Sequence, residues 1–319
     1  MKIDEVHDLT ERIIQEMERA IVGKQEVLKK ILATFLASGG HDLLEDYPGL
    51  AKTLVANSFA TVLGLPFKRI QFTPDLLPGD ITGGYIYDRS QNQFQLRKGP
   101  IFASIILADE INRASPRTQS ALLEAMQEYQ VTLEGETMRL PNPFMVIATQ
   151  NPIEYEGTFP LPEAQLDRFM VKLAIGYPTP ENEREILKRR RERRADAFNL
   201  SPVTNAEGVL EIREAVEDIH IDPDLEQYIV QLTDATRQHK MVAVGASPRG
   251  ALALLKLSRA WAAMHGRPYV IPDDVKTFIR PVFLHRLILQ PDLWTERRAP
   301  EEVIVDILHL IPVPVLKED

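Results

Sequence analysis

The sequence contains no cysteine and no long apolar run. Without cysteine, the protein cannot form disulfide bonds or use thiolates as nucleophiles or metal ligands, and the composition fits a reducing compartment. The first residues, Met1 to Asp8, are polar and charged, unlike a secretory signal. The longest apolar stretches, such as Phe102 to Ala108, are far shorter than the roughly 20 residues of a membrane-spanning helix. We therefore expect a cytoplasmic protein that does not insert into membranes.

Positive charge is also scarce. The chain has 37 lysines and arginines against 46 aspartates and glutamates, a formal net charge of -9. Such a chain is poorly suited to wrapping a nucleic-acid backbone. The basic run from Lys188 to Arg194 is an exception that could contact nucleic acid or an acidic partner. Glu181, Glu183 and Glu185 precede it, however, which is typical of a solvated helix face.

Short apolar runs alternate with helical patterns in the first half of the chain. The 319 residues, 44% of them hydrophobic, are enough for about two domains. Helices are predicted at 6–21, 25–37 and 116–130, and another begins at Lys52. Strands are predicted at 41–45, 68–72, 105–108, 144–148 and 169–175, with a hairpin at 86–96. This alternation predicts βαβ crossovers and a mainly parallel sheet.

The pattern changes after Tyr177-Pro178-Thr179-Pro180, where strand-like runs vanish. Helices are predicted at 181–194, 206–218, 223–237, 248–265, 272–289 and 301–310, and several open with proline or aspartate. We therefore place a boundary near 178–180. It divides an α/β domain of residues 1–178, which includes the N-terminal helices, from an all-α domain of residues 179–319.

A turn with phosphate-binding character joins the strand at 41–45 to the helix at Lys52. It reads Asp46-Tyr-Pro-Gly-Leu-Ala-Lys-Thr53. Backbone N–H groups at a helix start can cradle phosphates, Lys52 can neutralise their charge, and the Thr53 hydroxyl can bind Mg²⁺. The usual G-x-x-x-x-G-K-[ST] pattern needs glycine where this chain has Asp46 and Ala51. An ordinary strand-to-helix turn is therefore the alternative.

Two adjacent carboxylates, Asp109 and Glu110, follow the apolar strand at 105–108. Ligands of open α/β sheets bind outside the carboxyl ends of the strands. Asp109 could therefore hold Mg²⁺ opposite the loop, while Glu110 polarises an attacking water. A solvated acidic turn is the alternative for this pair alone. The loop and the carboxylates within one α/β domain together favour a nucleotide hydrolase.

Long contiguous motifs accompany the loop and the carboxylates. They comprise residues 41–53, 99–102, 107–114, 118–128 and 147–152, Glu156-Gly-Thr158, and Leu161-Pro-Glu-Ala-Gln-Leu-Asp-Arg-Phe169. Together they resemble the MoxR family of AAA+ ATPases, from about Val22 to the end of the chain. In that family the loop often reads E-[DG]-x-P-G-x-[GA]-K-T. The resemblance implies an AAA+ P-loop NTPase core with a mainly parallel sheet (1–178), followed by an all-α lid (179–319).

The resemblance implies roles for individual residues in binding ATP and Mg²⁺. The residues implied in nucleotide binding are Val22, Gly23, Pro48, Gly49, Leu50, Ala51, Lys52, Thr53, Leu54 and Asp109. Among them, Val22 and Gly23 would lie against the adenine, and Lys52 would bind the phosphates. Thr53 and Asp109 would hold Mg²⁺. Glu110 would activate the attacking water.

Three further polar residues match catalytic positions of the family. Asn151 resembles the sensor that positions the water. Arg168 resembles the arginine finger that acts on ATP in the neighbouring subunit, and Arg249 the lid arginine that reaches back to the γ-phosphate. Positive charge from either arginine would stabilise the transition state of phosphoryl transfer. Taken singly, Asn151 could make a turn, Arg168 could pair with Asp167 or Glu163, and Arg249 could be solvated.

The resemblance also implies an assembly. We expect a homo-oligomer, a hexameric ring, with the hairpin at 86–96 facing its pore. It would remodel a protein substrate as a chaperone, maturing an enzyme, completing a metal or cofactor centre or assembling a complex, with a von Willebrand factor A domain protein as partner. A nucleic-acid motor and a non-catalytic nucleotide switch are the alternatives. The acidic charge argues against the first, and Glu110, Asn151 and Arg168 argue against the second.

Overall fold

The computed structural model describes residues 1–152, 158–293, 296 and 298–314. Glu156 and Gly157, which belong to one of the family motifs, lie outside the described residues. Two helices come first, α1 (Ile3–Glu18) and α2 (Gln25–Leu36). Both were predicted from apolar residues at helical spacing, and both bury that face.

Strands and helices then alternate through the first half of the chain, as predicted. The elements are β1 (Asp42–Glu45), α3 (Lys52–Val62), β2 (Phe67–Gln71), α4 (Pro78–Thr82), β3 (Gly83–Asp88), β4 (Gln93–Lys98), β5 (Ile105–Asp109), α5 (Pro116–Glu128), β6 (Gln130–Leu133), β7 (Glu136–Arg139), β8 (Met145–Gln150), α6 (Glu163–Leu166) and β9 (Val171–Leu173). Five strands form one sheet in the order β2-β5-β8-β1-β9. All four neighbouring pairs are parallel, which confirms the predicted sheet.

The central strands are buried on both faces because helices cover the sheet from each side. Leu43, Ile106 and Val146 point to one face and pack with residues of α5. Leu44 and Leu107 point to the other and pack with residues of α2 and α3. Because the strands are parallel, their carboxyl ends meet at one edge. The loop after β1, Asp109 on β5 and Asn151 after β8 therefore share that edge of the sheet.

Two antiparallel hairpins extend from this domain. The pairing of β3 with β4 confirms the predicted hairpin and extends it to residues 83–98. The pairing of β6 with β7 was not predicted. The preceding helix was expected to reach Gln130 but ends at Glu128, so that Gln130 begins β6. Tyr129 follows in the left-handed conformation, at φ 53°, and turns the chain into β6. The Tyr85 hydroxyl donates to Glu136 Oε2 at 2.9 Å and links the two hairpins.

The second half of the chain is helical, with one difference from the prediction. Its elements are α7 (Pro180–Arg193), α8 (Ala206–Glu217), α9 (Pro223–Gln238), β10 (Val242–Val244), α10 (Pro248–Met264), α11 (Pro272–Phe283), β11 (Ile288–Leu289) and α12 (Ala299–Leu310). The helix expected to continue to Leu289 ends at Phe283, and β11 pairs antiparallel with β10. The expectation that strands vanish here is therefore wrong for these two short segments. Among the described residues, every helix is too short or too polar to span a membrane.

The N-terminal helices also contact the helices beyond residue 178. The Phe35 carbonyl, on α2, accepts two hydrogen bonds from the Arg213 guanidinium of α8, at 3.0 and 2.7 Å. His7 Nδ1, on α1, lies 2.7 Å from the Met264 carbonyl of α10. These helices thus bridge the two halves of the molecule. The division of the chain at residue 178 stays a prediction.

Candidate nucleotide site

The loop between β1 and α3 turns sharply before the helix begins. Gly49 and Ala51 have positive φ angles of 82° and 58°. The left-handed conformation is free for glycine and costs an alanine roughly 1–2 kcal/mol. The first turn of α3 leaves backbone N–H groups without acceptors in the helix, and these carry partial positive charge. The loop therefore ends in a surface suited to an anion.

Asp46 explains one departure from the glycine-rich pattern. The residue is buried, and its carboxylate accepts the N–H of Tyr47 at 3.0 Å and the N–H of Gly176 at 2.6 Å. Gly176 lies in the segment that links β9 to α7. The carboxylate thus ties the start of the loop to the approach to the lid, which a glycine at this position could not do.

The loop forms one wall of a cleft of about 440 Å³ at the carboxyl edge of the sheet. This volume lies within the range of small-ligand sites. The structure brings most of the predicted nucleotide and catalytic residues together here: Pro48, Gly49, Leu50, Ala51, Lys52, Thr53, Leu54, Asp109, Glu110 and Asn151. Arg69 of β2 also lines the cleft and was not predicted.

Lys52 occupies a half-buried position in this cleft. Its ammonium donates a hydrogen bond to the Asp46 backbone carbonyl. Burial lowers the pKa of Lys52, and the charges of Asp46, Asp109 and Glu110 oppose that shift. A desolvated ammonium with a neutral acceptor is well prepared for a phosphate oxygen, because charge-assisted hydrogen bonds are about twice as strong as neutral ones.

Asp109 is held on both of its carboxylate oxygens. Thr149 of β8 donates its hydroxyl to Oδ1 at 2.6 Å. Arg69 donates from Nε at 3.1 Å and from Nη2 at 2.6 Å to Oδ2. Neither partner was predicted from the sequence, since each lies on a strand that neighbours β5. Thr149 is a polar residue near the carboxyl end of β8, whereas Arg69 lies in the middle of β2.

Glu110 lies just beyond the sheet edge in a left-handed conformation, at φ 57°. Its N–H donates to the Thr149 hydroxyl at 2.9 Å. Its Oε2 accepts hydrogen bonds from Gln71 at 3.1 Å and from Arg113 at 3.0 Å. The same threonine therefore fixes both acids, accepting from the backbone of one and donating to the side chain of the other.

The oxygen donors of the cleft fit Mg²⁺ that arrives with a nucleotide. Among the described residues, no group of three or more histidines, aspartates or glutamates could hold a metal by itself. Mg²⁺ sites of nucleotide enzymes commonly use one or two carboxylates together with substrate phosphates. The Asp109 carboxylate and the Thr53 hydroxyl, which line one cleft, meet that requirement.

Arg168 and Arg249 lie together in a second cleft of about 180 Å³. Arg249 Nη1 lies 3.7 Å from Asp167 Oδ2. Within the described part of the chain, Arg168 forms no ion pair with Asp167 or Glu163; Asp167 pairs with Arg249 and Arg286 instead. The roles of both arginines in catalysis stay predictions.

Val22 and Gly23 lie outside the phosphate cleft, at the approach to α2. Gly23 has a φ of 69°, and a Cβ placed there would come within 2.0 Å of the Asn182 side chain on α7. The neighbouring Lys24 donates its ammonium to the Tyr177 carbonyl at 2.9 Å. This segment therefore packs against the start of the lid, close to the Gly176 N–H that Asp46 binds. Its contact with adenine stays a prediction.

Similarities to known proteins span both halves of the chain. Residues 41–171 match the model of the ATPase family associated with various cellular activities (AAA), and residues 234–307 match that of the AAA lid domain. The chain is 46% identical to the uncharacterised protein YeaC of Bacillus subtilis over 98% of this chain and 97% of that protein. It is 44% identical to Chaperone MoxR1 of Mycobacterium tuberculosis over 97% and 83%. The crystal structure of a candidate ATPase from Cytophaga hutchinsonii has a TM-score of 0.91 at 39% identity, over 98% and 97%.

Proposed function

Because the chain belongs to the MoxR family of AAA+ ATPases, we propose that it binds ATP with Mg²⁺ and hydrolyses it to ADP and phosphate. The observation that carries the proposal is the cleft in which the phosphate loop, Asp109, Glu110 and Asn151 meet. A positive helix terminus and a lysine face two carboxylates across this space. This is the charge arrangement that a metal-bound triphosphate needs.

Binding is assigned to the loop and its neighbours. Lys52 would exchange the Asp46 carbonyl for a phosphate oxygen, which is a stronger acceptor for its ammonium. Thr53 and Asp109 would hold Mg²⁺, which when bound neutralises charge on the phosphate oxygens. Arg69 and Thr149 keep the Asp109 carboxylate oriented toward this task.

Activation of water is assigned to Glu110, with Asn151 as its polar neighbour in the cleft. The backbone of Glu110 is fixed by Thr149, and its Oε2 is fixed by Gln71 and Arg113. A carboxylate held in this way can orient a water and accept its proton without first reorganising. Glu110 is therefore the residue whose removal should separate binding from hydrolysis.

We further propose that the active form is a ring of identical subunits, a hexamer, in which Arg168 acts on the neighbouring subunit's nucleotide. The second cleft supports this assignment. Among the described residues that line it, Arg168, Arg249, Lys256 and Arg286 are cationic, and Asp167 alone is anionic. An anion presented by another subunit would be attracted to this surface. Arg249 lines the same cleft beside Arg168.

The work done with ATP is proposed to be chaperone-like remodelling of a protein. Its support is the similarity to Chaperone MoxR1 and the exposed tip of the β3–β4 hairpin. Ile86, Tyr87 and Phe94 there are 51%, 50% and 69% exposed, an apolar surface suited to a polypeptide. A von Willebrand factor A domain partner and the completion of a metal or cofactor centre rest on the family resemblance.

The test is ATP turnover by the wild type and Glu110→Gln over a range of protein concentrations, with nucleotide affinity measured in parallel. We expect wild-type turnover per subunit to rise with concentration as rings assemble. Glu110→Gln should bind ATP with similar affinity and lose turnover by roughly 100- to 10,000-fold, the typical contribution of a general base. The control is Glu211→Gln, which makes the same change at an exposed position on α8 and should behave as the wild type.

Two outcomes would contradict the proposal. Nucleotide binding without Glu110-dependent turnover, even in assembled protein, would make the chain a nucleotide switch. Turnover that is independent of concentration and assembly would remove the proposed action of Arg168 across a subunit interface.

A further inference from the structure

Arg286 joins the lid to the segment that carries Arg168. It follows α11, and only 3% of its side chain is exposed. Its Nε donates to Asp167 Oδ1 at 2.8 Å. Its Nη2 donates to the Phe169 carbonyl at 2.7 Å and to the Asp167 carbonyl at 3.3 Å, and its Nη1 donates to the Met170 carbonyl at 3.1 Å. The guanidinium therefore binds the residues on both sides of Arg168.

These contacts require a guanidinium and not only a positive charge. Arginine presents five N–H donors in a rigid planar fork, whereas lysine presents three donors around one point. Four acceptors on residues 167–170 are met by one Arg286 side chain from three different nitrogen atoms. Burial lowers the pKa of Arg286, while the Asp167 charge opposes that shift. The cation thus stays in a desolvated site because its partners surround it.

Asp167 extends the same contact to the start of α10. The Ser247 hydroxyl lies 3.2 and 3.1 Å from the two Asp167 carboxylate oxygens. Arg249, two residues later, lies 3.7 Å from Oδ2. Asp167 therefore binds Arg286 after α11 and the beginning of α10 simultaneously. This is why Arg168 and Arg249, from distant parts of the sequence, line one cleft.

His285 completes the surroundings of Arg286. Its ring is buried, its Nε2 lies 2.9 Å from Arg286 Nη1, and burial together with the Arg286 charge lowers its pKa well below the usual value. The imidazole is therefore neutral beside the guanidinium. Among the charged groups described here, Asp167 is the carboxylate that compensates the buried Arg286.

We infer that Arg286 is a positioning residue, which acts through Asp167 and the 167–170 backbone to hold Arg168 and Arg249 in one cleft for a neighbouring subunit. The inference rests on the proposed function, because it assigns the two arginines to hydrolysis in another subunit. Arg286 itself does not touch the nucleotide in this scheme. Because Arg286 belongs to the helical half of the chain and binds residues 167–170, the positions of Arg168 and Arg249 depend on the contact between the two halves.

The first test uses Arg286→Met, which keeps most of the side-chain length and removes the fork. ATP affinity at the subunit's own cleft should be unchanged, whereas kcat should fall by roughly 10- to 100-fold, the loss that a misplaced group produces. Arg286→Lys should behave nearly as poorly despite its charge. Arg267→Met is the matched control, since it removes a lid ion pair with Asp274, at 2.6 Å, that does not touch residues 167–170.

The decisive experiment mixes two defective proteins in one ring. Glu110→Gln cannot hydrolyse ATP but carries an intact Arg286, whereas Arg286→Met has an intact phosphate cleft. Where a Glu110→Gln subunit presents its arginines to the nucleotide of an Arg286→Met subunit, hydrolysis should return. The turnover of the mixture should therefore exceed the summed turnover of the two separate proteins. Mixing with Glu110→Gln should rescue Asp167→Asn in the same way, and Asp167→Asn replaces Arg286→Met in this experiment if Arg286→Met folds poorly.

A readout without nucleotide completes the test. In the free protein, amide hydrogen exchange of residues 163–170 should be faster in Arg286→Met than in the wild type, and unchanged in Arg267→Met. Unchanged kcat in Arg286→Met, or failure of the mixed ring to recover turnover, overturns the inference while the ATPase proposal stands. Absence of wild-type turnover overturns both.

Discussion

His41 should make the stability of this protein fall as the pH is lowered. It precedes β1, the strand that leads into the phosphate loop, and it is buried, at 2% exposure. Its Nδ1 accepts the Val146 N–H at 3.0 Å, so its Nε2 donates to the Met126 carbonyl at 3.1 Å. The neutral ring thus links β8 to α5 at the beginning of β1. Both bonds need this one tautomer, and protonation would put a second hydrogen on Nδ1 against an N–H donor.

The magnitude follows from the pKa of His41, which burial above all lowers from 6.5 to about 4. Because the folded-state pKa is depressed, the unfolded chain binds more protons between these values. The stabilisation is therefore complete above the unfolded pKa and is lost as the pH falls toward the folded one. The full effect corresponds to about 3 kcal/mol, of which about 2 kcal/mol develops between about pH 7 and about pH 5.

The assay is urea unfolding of the wild type and His41→Asn at these two pH values, because asparagine can keep one acceptor and one donor without titrating. The variant should lose about 2 kcal/mol less stability than the wild type over this interval. His285 is also buried with a lowered pKa, so it too lowers stability as the pH falls. Its contribution is the same in both proteins and cancels in their difference. His309→Asn, at an exposed position on α12, should match the wild type. An identical pH dependence in His41→Asn and the wild type would refute the reasoning.

Two further substitutions test the hydrogen bonding of Asp109 and the packing of the segment before β1. Thr149→Val should destabilise the protein by about 1–3 kcal/mol and weaken Mg²⁺-dependent ATP binding, because Asp109 loses its donor at 2.6 Å. Chemical denaturation and Mg²⁺ titration measure the two effects, and Thr149→Ser, which keeps the hydroxyl, is the control. A Mg²⁺ dependence of Thr149→Val equal to that of the wild type would count against the assignment. Gly40→Ala should destabilise by about 1–3 kcal/mol, because its Cβ would lie 2.0 Å from the Thr34 carbonyl oxygen. Gly79→Ala, with open space at the Cβ, is the comparison in melting experiments; equal melting shifts would contradict the steric argument.

Among the strands that the sequence predicted, those buried on both faces gave the plainest pattern. β5 and β8 are almost wholly apolar, and such short runs between turn signals have few alternatives. The elements it missed are short or partly exposed. β10 and β11 have three and two residues, too few for an alternating pattern, and β6 and β7 are largely polar. Their pairing depends on a partner strand that local sequence does not specify.

The same distinction applies to the site. Lys52, Thr53, Asp109 and Glu110 were identified because each follows or begins an element whose end is visible in the sequence. Arg69 gave no such signal, although it binds Asp109 at 2.6 Å, since its role depends on β2 lying beside β5. Positions 46 and 51 depart from the glycine-rich pattern, and only the structure shows that Asp46 binds the Gly176 N–H and that Ala51 adopts the left-handed conformation.

What the sequence alone indicated is therefore a set of candidate groups and their order along the chain: the loop at 46–53, Asp109 and Glu110, Asn151, and the arginines 168 and 249. Tertiary structure decided which of these share a space. Parallel pairing of β1, β5 and β8 brings the loop, the acids and Asn151 to one edge. The contacts of Asp167 and Arg286 place Arg168 and Arg249 in another cleft. The physical reason is that strand order and lid seating are set by contacts between residues far apart in the chain, such as the Leu107–Ile147 and Arg286–Asp167 pairs, which no local pattern records.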